Sequence, residues 1–238
     1  MKKRLIILAM VFIAFFGAGT IYVNDYYKAD KYALSSMEST ADITVYNKED
    51  SIVFEASAPK AGFVLYPGGK VEYTAYSPVA KELAAAGILC IVPHMPFNLA
   101  VFDMDIAGEI TGMYPDIDKW YIGGHSLGGS MAAAYIAGND NEISGLVLLA
   151  AYSTEDISEK NIDVLSVRAT EDSVLNMENY EKYYSNLPPD TQEIIIEGGC
   201  HGFFGSYGPQ KGDGMPTVSV EEQTLKTAEA VIDFILNK

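Results

Sequence analysis

Ser126 sits in the stretch GGHSLGG, residues 123–129, with Gly124 and Gly128 two positions to either side. A serine hydroxyl attacks a carbonyl when a base takes its proton and an acid orients that base. The chain has three histidines, His94, His125 and His201. His125 adjoins the serine along the chain and would point away from its hydroxyl. His94 follows an apolar run upstream, where packing is the simpler role. His201 follows the last apolar run, in a glycine-rich loop, and is the expected base. Between serine and histidine, the stretch TEDSV offers Glu171 and Asp172. Asp172 is the expected acid by its offset from the preceding strand, with Glu171 as the alternative. Serine, acid and histidine in that order are the arrangement of acyl transfer through an acyl-enzyme.

Such chemistry requires the three groups to meet at one rim of a rigid scaffold. ITVYN and SIVFEA read as a leading strand pair. GFVLYP, ILCIVP, KWYIGG, SGLVLLAAY, DVLSVRAT and QEIIIEGG read as further strands, mostly continuous apolar runs suited to a sheet covered on both faces. Helices are expected between them, at SPVAKELAAAG, FDMDIAGEITGMY, SLGGSMAAAYIAG and SVLNMENYEKYYSNL. In the first of these, Ser77 is the expected N-cap, Pro78 opens the helix and Gly87 stops it. A last helix follows Ser219, whose S-x-x-E spacing to Glu222 is a capping box, with Leu225, Ala228, Ile232 and Leu236 on its apolar face. This alternation predicts an α/β fold, a doubly wound, mostly parallel sheet with an antiparallel start. Ligands bind such sheets outside the carboxyl ends of the strands.

Ser126 falls where KWYIGG ends and a helix begins, the position of a nucleophile elbow. A sharp turn there lifts the hydroxyl clear of the sheet and brings backbone too close for a Cβ at Gly124 and Gly128. The Leu127 N–H, at the start of the helix, is the first expected oxyanion donor. The second should come from the turn after GFVLYP, where the sequence reads YPGGKVEY; the Gly69 N–H is the nominee, with Lys70 next to it.

The chain has 238 residues, 49% of them hydrophobic, and a net charge of −16. Beyond residue 23 there remain 13 basic against 32 acidic residues, or −19. A body so acidic repels phosphate backbones, which argues against nucleic acid as a partner. The first 23 residues are different. After Lys2, Lys3 and Arg4, residues Leu5 to Val23 form nineteen positions without a charge. At ~1.5 Å per residue this helix nearly spans a ~30 Å hydrocarbon layer. The basic flank stays in the cytoplasm, so the rest of the chain is expected outside it. The alternative is a cleaved signal peptide with Gly17-Ala18-Gly19 at the cleavage site, and a secreted domain. Residues 24–40 read as a stalk and residues 41–238 as one domain.

Cys90 lies in an apolar run and is expected as a buried hydrophobe; Cys200 is expected to be an unpaired thiol. No Cys/His cluster has zinc spacing and no calcium loop occurs, so no metal or other cofactor is expected.

With these residues in view, the chain resembles the α/β-hydrolase superfamily, and within it the alpha/beta hydrolase fold-5 group of membrane-anchored bacterial proteins. The matching stretches are LYPGGKVEYTAYSPVAKELAAAG, PHMPFNLAVF, WYIGGHSLGGSMAAAYIA, TEDSV and GGCHGFFGSYGPQKGDG, spread over residues 62–238. The resemblance implies a hydrolase with Ser126, Asp172 and His201 as nucleophile, acid and base. Only STEDISEKNI separates LVLLAAY from DVLSV, which leaves no room for a large lid. The expected substrate is therefore a small-molecule carboxylic ester with a small or exposed acyl group. Phe97, Leu99, Phe203 and Phe204 are candidate pocket walls, with core packing as the alternative for each, and Asp213 is read as a turn acid, with a ligand contact as the alternative. Two other readings stand beside this one: a non-catalytic binding module on the same fold, and a hydrolase of a thioester or peptide bond.

Overall fold

Continuous apolar runs cannot be left in water, and here they assemble into one sheet with a helical layer on each face. The computed structural model describes residues 17, 19, 22–139 and 143–237. The strands are β1 (Ile43–Lys48), β2 (Ser51–Ala56), β3 (Ala61–Tyr66), β4 (Ile88–Pro93), β5 (Trp120–His125), β6 (Gly145–Leu149), β7 (Asp163–Ala169) and β8 (Gln192–Ile196). They lie in the order β1-β2-β4-β3-β5-β6-β7-β8. β2 is antiparallel to both β1 and β4, and every other pair is parallel. The helices are α1 (Lys31–Ser36), α2 (Ser77–Ala85), α3 (Ile106–Gly112), α4 (Leu127–Gly138), α5 (Met177–Tyr183) and α6 (Val220–Leu236).

Side chains alternate across the sheet and so divide the core. Phe63 and Leu65 of β3 join the layer that includes Leu83 of α2 and Val231 and Phe234 of α6. Val64 and Tyr66 join the opposite layer, with Ile110 of α3 and Ala132 and Ile136 of α4. The expected α/β fold with its antiparallel start is therefore the observed one.

Four local expectations need correction. Ser77 is not an N-cap but the first helical residue, and its hydroxyl donates to the Thr74 carbonyl at 2.7 Å. β8 lies at the sheet edge, where Ile194 and Ile195 remain 36% and 39% exposed. In α6, Leu225 is 53% exposed, while Thr224, Thr227, Val231, Phe234 and Ile235 are buried. The buried face is rotated so that Gln223 reaches the Cys200 N–H and carbonyl in the loop after β8. Ser219 caps the helix by accepting from the Glu222 N–H at 3.1 Å, but the Glu222 carboxylate pairs with Lys226 at 2.7 Å, so the box is half formed.

The largest correction concerns residues 24–40. The expected free stalk is folded onto the domain. The Tyr27 N–H donates to the Lys70 carbonyl at 2.8 Å, and the Glu72 N–H donates to the Tyr27 carbonyl at 2.8 Å. The Asp30 N–H reaches the Ser206 carbonyl at 2.9 Å, and Asp30 also caps α1, in which Ala33 and Ser36 are buried. A polar, aromatic composition suits a spacer, but here the partners lie far along the chain. Among the described residues no helix is long and apolar enough to cross a membrane. The expected anchor, Leu5–Val23, falls outside the described residues apart from Gly17, Gly19, Tyr22 and Val23.

Candidate active site

β5 ends at His125 and α4 begins at Leu127, so Ser126 alone makes the turn. Its backbone sits at φ 53° and ψ −120°, a region that costs a residue with a Cβ on the order of 1–3 kcal/mol. The surroundings enforce it. The Ser126 N–H donates to the Leu149 carbonyl at 2.9 Å, and the Ser126 carbonyl accepts the first helical bond from Ser130 at 3.1 Å. A Cβ at Gly124 would come 2.5 Å from the Tyr66 carbonyl oxygen, and one at Gly128 would overlap the carbonyl oxygens of Tyr66 and Pro67. Both flanking positions thus require glycine for close approach of β3.

The loop after β7 carries Asp172. One carboxylate oxygen, Oδ1, accepts from the Val174 and Leu175 N–H groups at 2.8 Å each. The other, Oδ2, lies 2.8 Å from Nδ1 of His201, with both side chains only 2% exposed. Asp172 is therefore the acid in contact with the imidazole. The Glu171 carboxylate instead accepts from the Thr170 hydroxyl at 3.2 Å. With Asp172 accepting at Nδ1, that nitrogen carries the proton and Nε2 is left as the basic nitrogen.

His201 and Ser126 line the same cavity, of about 260 Å³, together with Leu127, Tyr152, Leu175 and Asn176. No hydrogen bond joins the Ser126 hydroxyl to His201 among the described residues. Contacts of this kind commonly tighten only in the Michaelis complex. A larger cavity, about 420 Å³, lies at the β1–β2 turn beside Lys48, His94 and Tyr114, but it contains neither Ser126 nor His201.

The two proposed oxyanion positions adjoin. A Cβ at Gly69 would stand 3.1 Å from Leu127 Cδ2. In the turn Gly68-Gly69-Lys70, the Gly68 N–H donates to the Tyr76 hydroxyl at 2.8 Å and the Lys70 N–H to the Asn98 carbonyl at 2.7 Å. That leaves the Gly69 N–H as the uncommitted donor of the three. The Leu127 N–H, in the first turn of α4, has no intrahelical acceptor.

His125 proves to be structural. It is 1% exposed, with Nδ1 2.8 Å from the Tyr76 hydroxyl and its ring 4.4 Å from that of His201. Burial, and then the neighbouring His201, push its pKa well below the ordinary histidine value, so it stays neutral. Since Gly68 N–H donates to Tyr76, a chain of contacts runs from the oxyanion turn to the ring beneath the base. His94 is exposed, its ring tilted against that of Tyr73 at 5.1 Å. Of the candidate pocket walls, Phe204 is buried against His125, Phe97 is 54% exposed, and Leu99 flanks Gly69. The cavity is lined by none of the four; Tyr152, Val174 and Leu175 take that role. Both cysteines are free and buried; burial, then Asp213, raise the Cys200 thiol to about 12, which leaves it inert as a nucleophile.

Two residues hold the histidine loop from outside the cavity. Gln223 of α6, fully buried, accepts from the Cys200 N–H at 2.9 Å and donates to the Cys200 carbonyl at 2.8 Å. Asp213 accepts from the N–H groups of His201, Gly202 and Ser173 at 3.2, 2.8 and 3.3 Å. It thereby fastens the histidine loop to the loop of Asp172.

The sequence profile of the Alpha/beta hydrolase family matches residues 62–225, which include every one of these site residues. The chain belongs to the alpha/beta hydrolase family. Solved structures agree at the level of the fold. A predicted CIB-like hydrolase from Thermoplasma acidophilum superposes with a TM-score of 0.58 at 16% identity, covering 84% of this chain and 100% of that one. Est1E from Butyrivibrio proteoclasticus gives 0.58 at 13% identity, covering 83% and 98%. TT1662 from Thermus thermophilus gives 0.62 at 12% identity, covering 82% and 99%. Among curated proteins none matches the sequence.

In this hydrolase, Asp213 makes a pH-dependent contribution. Partial burial opposes its ionisation, but hydrogen bonds from the Gly202, Gly214 and His201 N–H groups and the Cys200 thiol together outweigh burial and hold its pKa below the usual carboxylate value. A folded pKa below the unfolded one means stability that is present above ~3.9 and lost as pH falls through the folded value. Asp213→Asn should therefore be less stable than wild type at neutral pH, and the difference should shrink below pH ~4. Urea unfolding at a series of pH values measures it; a constant difference would show that the charge is not what matters.

Proposed function

We propose that the protein is a serine hydrolase that cleaves a carboxylic ester with a short acyl group, tethered to the cell membrane with its catalytic domain outside the cytoplasm. The observation that carries the catalytic reading is the 2.8 Å contact between Asp172 and His201 in a cavity shared with Ser126. Ser126 Oγ bonds to the acyl carbon while His201 Nε2 accepts its proton. The carbonyl oxygen, now an oxyanion, takes hydrogen bonds from the Gly69 and Leu127 N–H groups. His201 then protonates the departing alcohol, and a water, deprotonated at the same Nε2, releases the acid and frees Ser126. Asp172 holds Nδ1–H throughout and stabilises the imidazolium that forms twice per cycle.

A cavity of about 260 Å³ supports the short acyl group. The tether rests on the uncharged run from Leu5 to Val23 behind Lys2, Lys3 and Arg4. A fluorophosphonate probe, which phosphonylates an activated serine, should label this protein once, at Ser126, as located by peptide mass spectrometry. A protein that is folded yet unlabelled would overturn the catalytic reading.

A further inference from the structure

The segment after the apolar run has no slack. Tyr27 is hydrogen-bonded through its backbone to Lys70 and Glu72, and its hydroxyl accepts from the Lys211 N–H at 3.1 Å. Just upstream, the Asp25 carboxylate lies 3.1 Å from Lys70 Nζ, and the same ammonium sits 4.3 Å from the Tyr22 ring centre. Val23 is four residues from Tyr27, a reach of at most ~14 Å even for extended chain. The end of the apolar run is thus held within that distance of Tyr27, which is itself hydrogen-bonded to Lys70 of the turn that offers the Gly69 N–H.

The same rim carries an unpaired apolar patch. Phe97, Val101 and Phe102 are 54%, 52% and 60% exposed, and the two phenyl rings meet edge to face at 5.6 Å. Phe97 and Asn98 adopt φ of 57° and 55°, a left-handed conformation uncommon for a bulky residue. The Asn98 carbonyl accepts from the Lys70 N–H at 2.7 Å, and the Lys70 carbonyl accepts from the Tyr27 N–H at 2.8 Å, so this loop and the docked Tyr22–Tyr27 stretch are both fastened to the same residue of the oxyanion turn. Leu99 connects the patch to the site, its Cδ2 beside Gly69.

We propose that this rim docks on the lipid bilayer that receives the Leu5–Val23 segment, and that the substrate is a short-chain acyl ester whose alcohol part is held in that bilayer. The inference rests on the hydrolase and tether readings above and specifies the substrate class of that site. Aromatic side chains settle at the membrane interface, where their rings leave water without entering the hydrocarbon centre. Asp103 and Asp105 follow the patch directly, so the surface it fits is zwitterionic rather than anionic. The acyl group enters the small cavity while the alcohol moiety stays at the apolar rim, so the ester reaches the serine without crossing water.

The full chain in phosphatidylcholine vesicles tests this with two measurements. Phe102→Trp should be quenched at least twofold by lipids brominated in the acyl chains, against a wild-type baseline from the single, buried Trp120. Absence of extra quenching overturns the docking whether or not the protein is active. For substrate class, 4-methylumbelliferyl acetate in water and its 4-heptadecyl analogue in the bilayer share the acetyl group and the reacting phenolic ester, and differ only in the chain that holds the alcohol part in lipid. Val101→Asp/Phe102→Asp should lower turnover of the bilayer ester at least tenfold and change the soluble ester less than twofold. Val101→Ser/Phe102→Ser, milder for folding, should show the same selectivity in smaller degree. Equal loss on both esters, or loss on neither, overturns the proposal. If wild type cleaves neither ester, the hydrolase reading and the substrate assignment fail together, while the quenching still decides the docking. Wild type that leaves the vesicles on washing removes the tether and overturns the proposal with it.

Discussion

Ser126→Ala should reduce ester turnover by about 10⁴-fold or more while leaving the protein folded. The reasoning is local. Alanine keeps the Cβ and accepts the same backbone geometry, with its N–H still on the Leu149 carbonyl and its carbonyl still on the Ser130 N–H. What vanishes is the nucleophile, and the oxyanion donors that remain can only assist attack by water. Thermal unfolding of the variant should match wild type within a few degrees, which separates lost chemistry from lost structure. Residual turnover above about one per cent of wild type would mean that another group does the chemistry.

How much of this arrangement could be read from the chain alone differs from part to part, for physical reasons. The strands of the parallel core were legible because both of their faces are covered, so their residues are apolar in succession. The elbow was legible because close backbone approach leaves glycine as the sole option, and Gly124 and Gly128 record that constraint in residue type. The choice between Glu171 and Asp172 was less legible. Both are acids at one strand end. What separates them is that the Asp172 carboxylate accepts two N–H groups of its own loop, a turn geometry that fixes its other oxygen toward His201. A side chain one methylene longer does not make that turn with the same aim.

Three elements were not legible. Residues 24–40 have the composition of a spacer, and their docking depends on partners at Lys70, Glu72 and Ser206, which no local pattern announces. Gln223 looks like a solvent-facing residue of α6, yet it is buried because the turn at Cys200 needs one acceptor and one donor. The exposure of Leu225 follows from the same fact, since the face that carries Gln223, Thr224 and Thr227 is turned inward in its place. Helical periodicity finds an apolar stripe; it does not find one that includes a glutamine whose amide is satisfied only by a loop distant along the chain. Asp213 has a similar origin. It occupies a turn-forming sequence, QKGDG, but the N–H groups it gathers belong to two loops that meet only after β7 and β8 pair.

Asp172→Asn should cost about 10⁴-fold in turnover, close to the loss of the serine, whereas Glu171→Gln should stay within about twofold of wild type. The asparagine oxygen can still accept from the Val174 and Leu175 N–H groups, so the loop is retained. Its amide would then face His201 Nδ1 with a donor. The imidazole must respond by moving its proton to Nε2, which removes the base from the side facing Ser126. The imidazolium formed during the reaction also loses the carboxylate that stabilises it. Two consequences distinguish this from simple misfolding. Turnover should fall far more than KM changes, because the contact matters in the transition state and hardly in substrate binding. Labelling of Ser126 by the phosphonate should slow in parallel, since it needs the same proton transfer. A variant that retained more than a tenth of wild-type turnover, with Glu171→Gln the more damaging change, would reassign the acid and with it the aim of the whole Asp172 loop.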